Sequence, residues 1–356
     1  MRPFGPKGTA RIVSKGATIE AEDAHRALRA SRAGHASPEG AEMSLVIDGL
    51  TKRFGSVQAL DGVSFTVPEG GICGFLGANG AGKTTTMRIV LGFLRADAGR
   101  ATWRDRETRL WPRRTWGYMP EERGLYLRMP VLDQLAFYGS LYGMSRGEAR
   151  LVALDWLTRF RIAEHGERNA ESLSKGNQQK VQFIATVLHD PDVLLMDEPF
   201  VGLDPINVAL LKSAFHELRD RGKTLIFSTH QLDQAEELCD TVAIIDHGRI
   251  VTAGTTREVK RSTGHQVVRV ETSRDGDLAW LRSLPHVTVT RPGEDYTEVR
   301  VDAGTDPQAV LRAAIARGGE VLRFEVADPS LEDVFVERVG ALDIDERVLA
   351  APESRS

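Results

Sequence analysis

ICGFLGANGAGKTTTMRIV, residues 72–90, decides how the rest of the chain is read. The apolar run ICGFLG (72–77) ends on glycine, as a buried central strand does. GANGAGKTT (77–85) follows at once, and an amphipathic helix continues from it. Strand, GxxxxGK[ST] loop and helix in this order make a phosphate-binding loop. Gly77, Gly80 and Gly82 permit the tight backbone that lets successive N–H groups wrap phosphate oxygens. The helix N-terminus adds partial positive charge. Lys83 is placed to reach β- and γ-phosphates, and the Thr84 hydroxyl to ligate Mg²⁺.

Three further stretches fall into line with it. VLLMDE (193–198) is an apolar strand whose C-terminal end carries Asp197 and Glu198, and that end is where parallel sheets place ligands. KTLIFSTH (223–230) is another apolar strand, ending on His230. Between loop and acidic strand stands LSKGNQQK (173–180). Taken alone, the acidic strand end or the histidine would be an ordinary strand terminus.

Together these elements resemble the ATP-binding-cassette (ABC) ATPases, each occurring once and in family order over about residues 44–260. The resemblance implies an α/β P-loop NTPase fold: a RecA-like core, an antiparallel β subdomain and a helical subdomain at about 121–180, within a cassette of residues 43–262. It implies ATP and Mg²⁺ as ligands, with ATP held by Gly77, Ala78, Asn79, Gly80, Ala81, Gly82, Lys83, Thr84 and Thr85. Lys83, Glu198 and His230 form the implied catalytic set. Asp197 binds Mg²⁺ through water, Glu198 orients the attacking water, and His230 matches the switch histidine that contacts the γ-phosphate. Leu173, Ser174, Lys175, Gly176 and Asn177 match the signature, which acts on ATP held by the opposite subunit of a head-to-tail dimer. Asp204, in VGLD (201–204), matches the D-loop aspartate.

The chain also departs from the family pattern. Lys175 and Asn177 break the usual LSGGQ. Lys175 either attracts the partner's γ-phosphate or points to solvent. Val201 replaces a serine that makes a cross-dimer contact. In GYMPEERGLY (117–126) Glu121 aligns with a glutamine that touches Mg²⁺ and senses the membrane subunit. As a ligand beside Thr84 and Asp197 it would be anionic rather than neutral; otherwise it is a solvated loop charge. Phe54, in KRFG, either stacks on adenine through its face or belongs to the β-subdomain core. Glu121 and the altered signature point to an export-type branch.

Beyond the cassette the texture changes. VAIIDHGRIVTAGT reads as a hairpin turning at His247-Gly248. Residues 266–272, VTVTR, TEVRV and VLRFEVA read as strands, and 276–284 and 307–317 as helices. That β-α-β-β-α-β order predicts a small α+β ferredoxin-like accessory domain at 265–340. PSLEDVFVERVG (329–340) resembles the closing helix of drug-export and sodium-export cassette ATPases, and 341–356 read as a frayed tail.

Bulk properties bound the function. The net charge of −4 gives no general basic character, so no nucleic-acid partner is expected. Trp103, Trp111 and Trp116 among arginines read as part of an antiparallel surface. Cys73 and Cys239 cannot build a disulfide framework and read as semi-buried thiols. No run approaches the roughly 18 apolar residues of a membrane span, and no apolar h-region near the N-terminus reads as a signal peptide. Residues 1–42 lack the composition for a core and read as a disordered leader; the cassette-like pattern begins at Met43, which makes a natural start there one hypothesis, to be decided by intact mass. The expectation is an ATPase subunit at the cytoplasmic face of the plasma membrane, dimeric with itself or a paralogue, powering separate permease subunits. The alternative is a soluble cassette ATPase acting as scaffold or regulator. A chromosome-maintenance ATPase would need long coiled coils between Lys83 and Leu173, where there is no room.

Overall fold

The computed structural model describes residues 44–122, 124–273, 279–293, 296–318 and 320–349, without the side chains of 279 and 341–349. The expected leader and the last seven residues of the expected tail lie outside them. In chain order the elements are β1 (Ser44–Phe54), β2 (Val57–Pro68), β3 (Ile72–Leu76), α1 (Lys83–Val90), β4 (Ala98–Trp103), β5 (Arg106–Glu107), β6 (Trp116–Met119), α2 (Val131–Leu141) and α3 (Arg146–Arg159). They continue with α4 (Lys175–Val187), β7 (Val193–Asp197), α5 (Pro205–Asp220), β8 (Thr224–Thr229), α6 (Leu232–Leu238), β9 (Thr241–Asp246), β10 (Arg249–Thr255) and α7 (Thr256–Arg261). The C-terminal part holds β11 (Gln266–Thr272), α8 (Ala279–Arg282), β12 (Val287–Pro292), β13 (Thr297–Val301), α9 (Gln308–Ala316), β14 (Val321–Ala327) and α10 (Leu331–Leu349). Contacts gather these into two compact units: Trp111–Lys223, and Ser44–Leu110 with the chain from Thr224 onward.

In the unit containing the phosphate loop, β2-β1-β4-β5 form an antiparallel sheet. Leu45, Ile47 and Leu50 of β1 face inward with Val67, Phe65 and Val63 of β2. The strand runs six residues past the expected 44–48, because it bulges after Ile47 and carries on. A Cβ on Gly99 would lie 2.2 Å from the Gly49 carbonyl oxygen, so glycine at 99 is what lets β4 approach there. Trp103 ends β4 fully buried, and the Arg104 guanidinium lies 5.2 Å from its ring centroid and pairs with Glu69. The arginines are solvated edges of a core element, not a face of aromatic rings.

β3 lies between β8 and β9, parallel to both, and β10 closes the edge beyond β9. Every residue of β3 and β8 is buried, which is why β3 and the LIF centre of β8 read as apolar runs rather than alternations. The β9–β10 hairpin turns at His247-Gly248, both in the left-handed region (φ 44 and 77), as a two-residue hairpin turn requires.

The C-terminal sheet has the order β12-β13-β11-β14, antiparallel throughout. This is the ferredoxin-like arrangement that the element order predicted. Val268, Val270, Leu281, Val299, Val301 and Val310 form its core. α10 is longer than expected and runs to Leu349, since ALDIDERVL holds good helix formers and no breaker. Its first N–H, at Leu331, donates to Glu236 of α6 at 2.8 Å, and Lys260 of α7 pairs with the same carboxylate at 2.6 Å.

In the other unit β6 and β7 run parallel, and the two helices expected over 131–165 are α2 and α3. A Ser145–Glu148 capping box starts α3, satisfying two orphan N–H groups of its first turn. Trp156, Phe160, Phe183, Phe215 and Phe200 form a chain of ring contacts with centroids 5.3–6.1 Å apart, joining α3, α4 and α5. Trp116 is buried at the start of β6.

Candidate active site

The two units carry different parts of the expected site. In the first, the loop from β3 to α1 is shaped by contacts that only glycine allows. A Cβ on Gly77 would stand 2.3 Å from the Ile245 carbonyl oxygen. Gly82 has φ +112, and a Cβ there would meet Leu60 Cδ2 at 2.6 Å. The crest, Ala78, Asn79 and Gly80, is exposed, while Ala81, Gly82 and Lys83 are buried and Thr84 and Thr85 half-buried. Lys83 Nζ donates to the carbonyls of Gly77 (2.7 Å) and Ala78 (3.0 Å), laying its cation across the loop. The hairpin turn braces this loop from behind: Gly248 N–H donates to Ala81 O (3.0 Å), and Gly248 O accepts from Asp61 N–H (2.8 Å).

His230 is exposed on the turn directly after β8, where Thr229 Oγ1 accepts from Gln231 N–H at 3.0 Å. Phe54 closes β1 and is 48 % exposed, with the Lys52 ammonium 5.5 Å from its ring centroid. A ring so open is not a core ring, and its face is available for stacking.

In the second unit β7 delivers Asp197 and Glu198 at 1 % and 6 % exposure. Glu198 sits in the left-handed region at φ 50, a costly conformation for a non-glycine residue that is characteristic of functional turns. α4 begins with the signature. Ser174 caps it, its Oγ accepting from Asn177 N–H at 3.3 Å, which leaves the hydroxyl proton free to donate outward. Leu173 is buried, Ser174 and Lys175 are exposed, and Asn177 is half-buried. Gly176 faces the D-loop, since a Cβ there would lie 3.4 Å from Gly202 O and 3.7 Å from Leu203. Asp204 caps α5 by accepting from Asn207 N–H at 3.0 Å, and that bond holds its carboxyl below the usual range. Val201 is exposed at the head of the D-loop.

Two residues of this unit were invisible to sequence reasoning. Gln179 Nε2 donates to Pro199 O (3.1 Å) and Glu198 O (3.4 Å), and Gln182 Nε2 donates to Pro120 O (2.6 Å) and Glu122 O (3.3 Å). Both side chains are buried, as is Gln178, which donates to Ala170 O at 2.9 Å. Helix α4 therefore ties the signature to the acidic strand end and to the loop carrying Glu121, which is itself exposed. Their only trace in the sequence is a pair of glutamines three apart, on one helical face. Beside that loop lies an aromatic surface: the Tyr126 ring, 54 % exposed, is 6.0 Å from both Phe137 and Tyr138, and Leu127 is exposed next to it.

The residues suit a nucleotide with a divalent cation. A glycine-shaped loop with a buried ammonium matches a polyphosphate, and the Thr84 hydroxyl and Asp197 carboxylate are hard oxygen donors suited to Mg²⁺.

Comparison with known proteins agrees. A family model described as ABC transporter matches residues 60–201, and one described as ATP-binding protein DrrA1-3-like, C-terminal domain, matches residues 254–339. An uncharacterized ABC transporter ATP-binding protein of Bacillus subtilis (strain 168) is 42 % identical over 84 % of this chain and 99 % of its own length. The daunorubicin resistance ATP-binding protein of Streptomyces coeruleorubidus is 31 % identical over 84 % of this chain and 97 % of its own. Among solved structures, an ATP-binding subunit of an ABC transporter superposes with TM-score 0.58 at 30 % identity, covering 62 % of this chain and 93 % of that one.

Proposed function

The chain belongs to the ATP-binding subunits of ABC transporters, ATPases related to drug-resistance exporters, and from that premise we propose that it powers export through a separate membrane permease. Two copies, or this chain and a paralogue, close head to tail over two ATP–Mg²⁺, each contributing one half-site of each kind. In this reading the phosphate loop and Lys83 hold the triphosphate, and Phe54 stacks on the base. Thr84, Asp197 and Glu121 serve Mg²⁺, which neutralises charge on the phosphates. Glu198 polarises the attacking water, and His230 contacts the γ-phosphate. Ser174 O–H and Gly176 N–H of the opposite subunit donate to that phosphate, and hydrolysis releases them. Lys175, exposed beside Ser174, takes no necessary part.

The observation that carries the coupling is the pair of glutamine tethers on α4. Gln179 grips the chain at Glu198 and Gln182 grips the Glu121 loop, so a shift at either is transmitted along one rigid helix to the signature. The permease docks on the exposed aromatic surface of Tyr126 and Leu127 beside that loop, from the cytoplasmic face of the plasma membrane. No helix of the described residues is long and apolar enough to cross a membrane; in this reading the partner provides the pathway for cargo.

Detergent extraction of native membranes followed by capture of the full chain tests the reading. A polytopic membrane protein should co-purify and stimulate ATP hydrolysis. Glu198→Gln should keep ATP binding while hydrolysis falls by roughly 10²–10⁴. Recovery of purely soluble complexes would refute the transport role.

A further inference from the structure

Strand β14 forms one edge of the C-terminal sheet, and among the described residues no strand pairs with its outer side. Such an edge presents a row of N–H and C=O groups ready to pair. Proteins blunt such edges with charged side chains, proline or bulges. This edge bulges at its N-terminal end, but its charges are of both signs and lie symmetrically about one residue.

VLRFEVA, residues 321–327, has opposite charges on either side of Phe324 and apolar residues outside them. Antiparallel pairing of two copies about a two-fold axis through Phe324 sets residue 323 against 325, 322 against 326 and 321 against 327. Arg323 of one chain then faces Glu325 of the other, twice over. Leu322 and Val326, both exposed large apolar side chains at 56 % and 39 %, cover each other, also twice. Within one chain Arg323 donates to Glu325 at 2.6 Å and Arg269 lies 3.3 Å from the same carboxylate, so both charges are already held on one face of the strand. Phe324 turns to the other face and packs on the domain core. An isologous contact demands that residue i meet j while j meets i; the sequence of β14 meets that demand about Phe324, and the strand's irregularity against β11 falls at its N-terminal end, between Val321 and Arg323.

We infer that β14 is a self-complementary edge that pairs with β14 of a second copy of this chain, joining two accessory domains into one continuous sheet. The contact needs no nucleotide and is separate from the ATP-dependent closure of the cassettes. A single seven-residue edge buries well under the ~1,200 Å² of a stable interface, so it forms transiently by itself, and covalent trapping is the fitting readout.

The test uses nucleotide-free full-length chain. Leu322→Cys/Val326→Cys places the two thiols opposite each other across the axis, at cross-strand separations that a disulfide spans. The native Cys73 and Cys239 are buried and do not compete. The double variant should form a crosslinked dimer under mild oxidation, while each single variant should not. In a single variant the two thiols are offset along the strands by four residues, about 13 Å. Adding Arg323→Glu sets four carboxylates together and should slow crosslinking roughly tenfold. Adding Glu325→Arg as well restores opposite pairs and should restore the rate. Basal ATP hydrolysis, unchanged in all variants, confirms folding. Failure of the double variant to crosslink, equal crosslinking by the single variants, or indifference to charge reversal would overturn the inference. Because ATP is absent, none of these results bears on the export reading.

Discussion

Replacing Gln182 by methionine isolates the tether between the signature helix and the Glu121 loop. The side chain is buried and its amide nitrogen has two acceptors, Pro120 O at 2.6 Å and Glu122 O at 3.3 Å. Methionine keeps length and approximate volume, so packing changes little. What is lost is hydrogen bonding. The Glu122 end is exposed and water can replace the bond, whereas the Pro120 carbonyl is half-buried and loses its partner at greater cost. Together these sum to about 1–2 kcal/mol. For a unit of this size each kcal/mol lowers Tm by roughly 2–4 °C, so differential scanning fluorimetry should show a fall of about 2–8 °C. Gln182→Glu is the control of sign, because at pH 8 it sets a carboxylate against two carbonyls and should cost more than methionine. The functional expectation is selective: ATP binding and basal hydrolysis persist, while stimulation by the permease drops severalfold. A methionine variant with unchanged Tm and full stimulation would refute the tether.

Other outcomes follow from the same geometry. Gly77→Ala forces a Cβ to 2.3 Å from the Ile245 carbonyl oxygen, so ATP affinity measured by a fluorescent analogue should fall at least tenfold, with loss of thermal stability. Glu236→Ala removes the acceptor for Leu331 N–H and the partner of Lys260. It should cost about 1 kcal/mol and raise amide exchange at the start of α10 before anywhere else. His265 is held below its ordinary 6.5, chiefly by burial and then by the Arg300 cation, with Glu337 3.5 Å away opposing. Because its folded value is depressed, its contribution to stability is intact above pH 6.5 and is lost as pH falls through the folded value. His265→Phe should flatten the slope of Tm against pH in that window, and an unchanged slope would exclude His265 as its source.

Much of this was legible because the signals are local. The phosphate loop declares itself through glycines that the backbone cannot do without, at φ +84 and +112 for Gly80 and Gly82. The His247-Gly248 turn and the order of the C-terminal elements were readable for the same reason, since period and turn chemistry lie within a few residues. Gln179 and Gln182 were not, because a polar residue on a helix reads as solvated and only tertiary packing reveals it buried. Trp103 among arginines suggested a surface, yet its ring is fully buried while the charges lie outside it. The end of α10 was missed because the sequence marks no stop before Leu349, and propensity alone does not say how far a helix will run.

The placing of β3 between β8 and β9 also governs how the chain is made. β3 leaves the ribosome about 150 residues before its partners Thr224–Thr229 and Thr241–Asp246, roughly 8–30 s at ordinary rates of synthesis. During that interval ICGFL, apolar on both faces, has no strand to lie against, while Trp111–Lys223 emerges and can settle as a unit of its own. The nascent segment 72–76 is therefore exposed apolar chain for the whole of that interval. Slowing translation between Lys83 and Thr224 should lengthen its exposure and lower the yield of active protein, without changing a single contact in the finished fold.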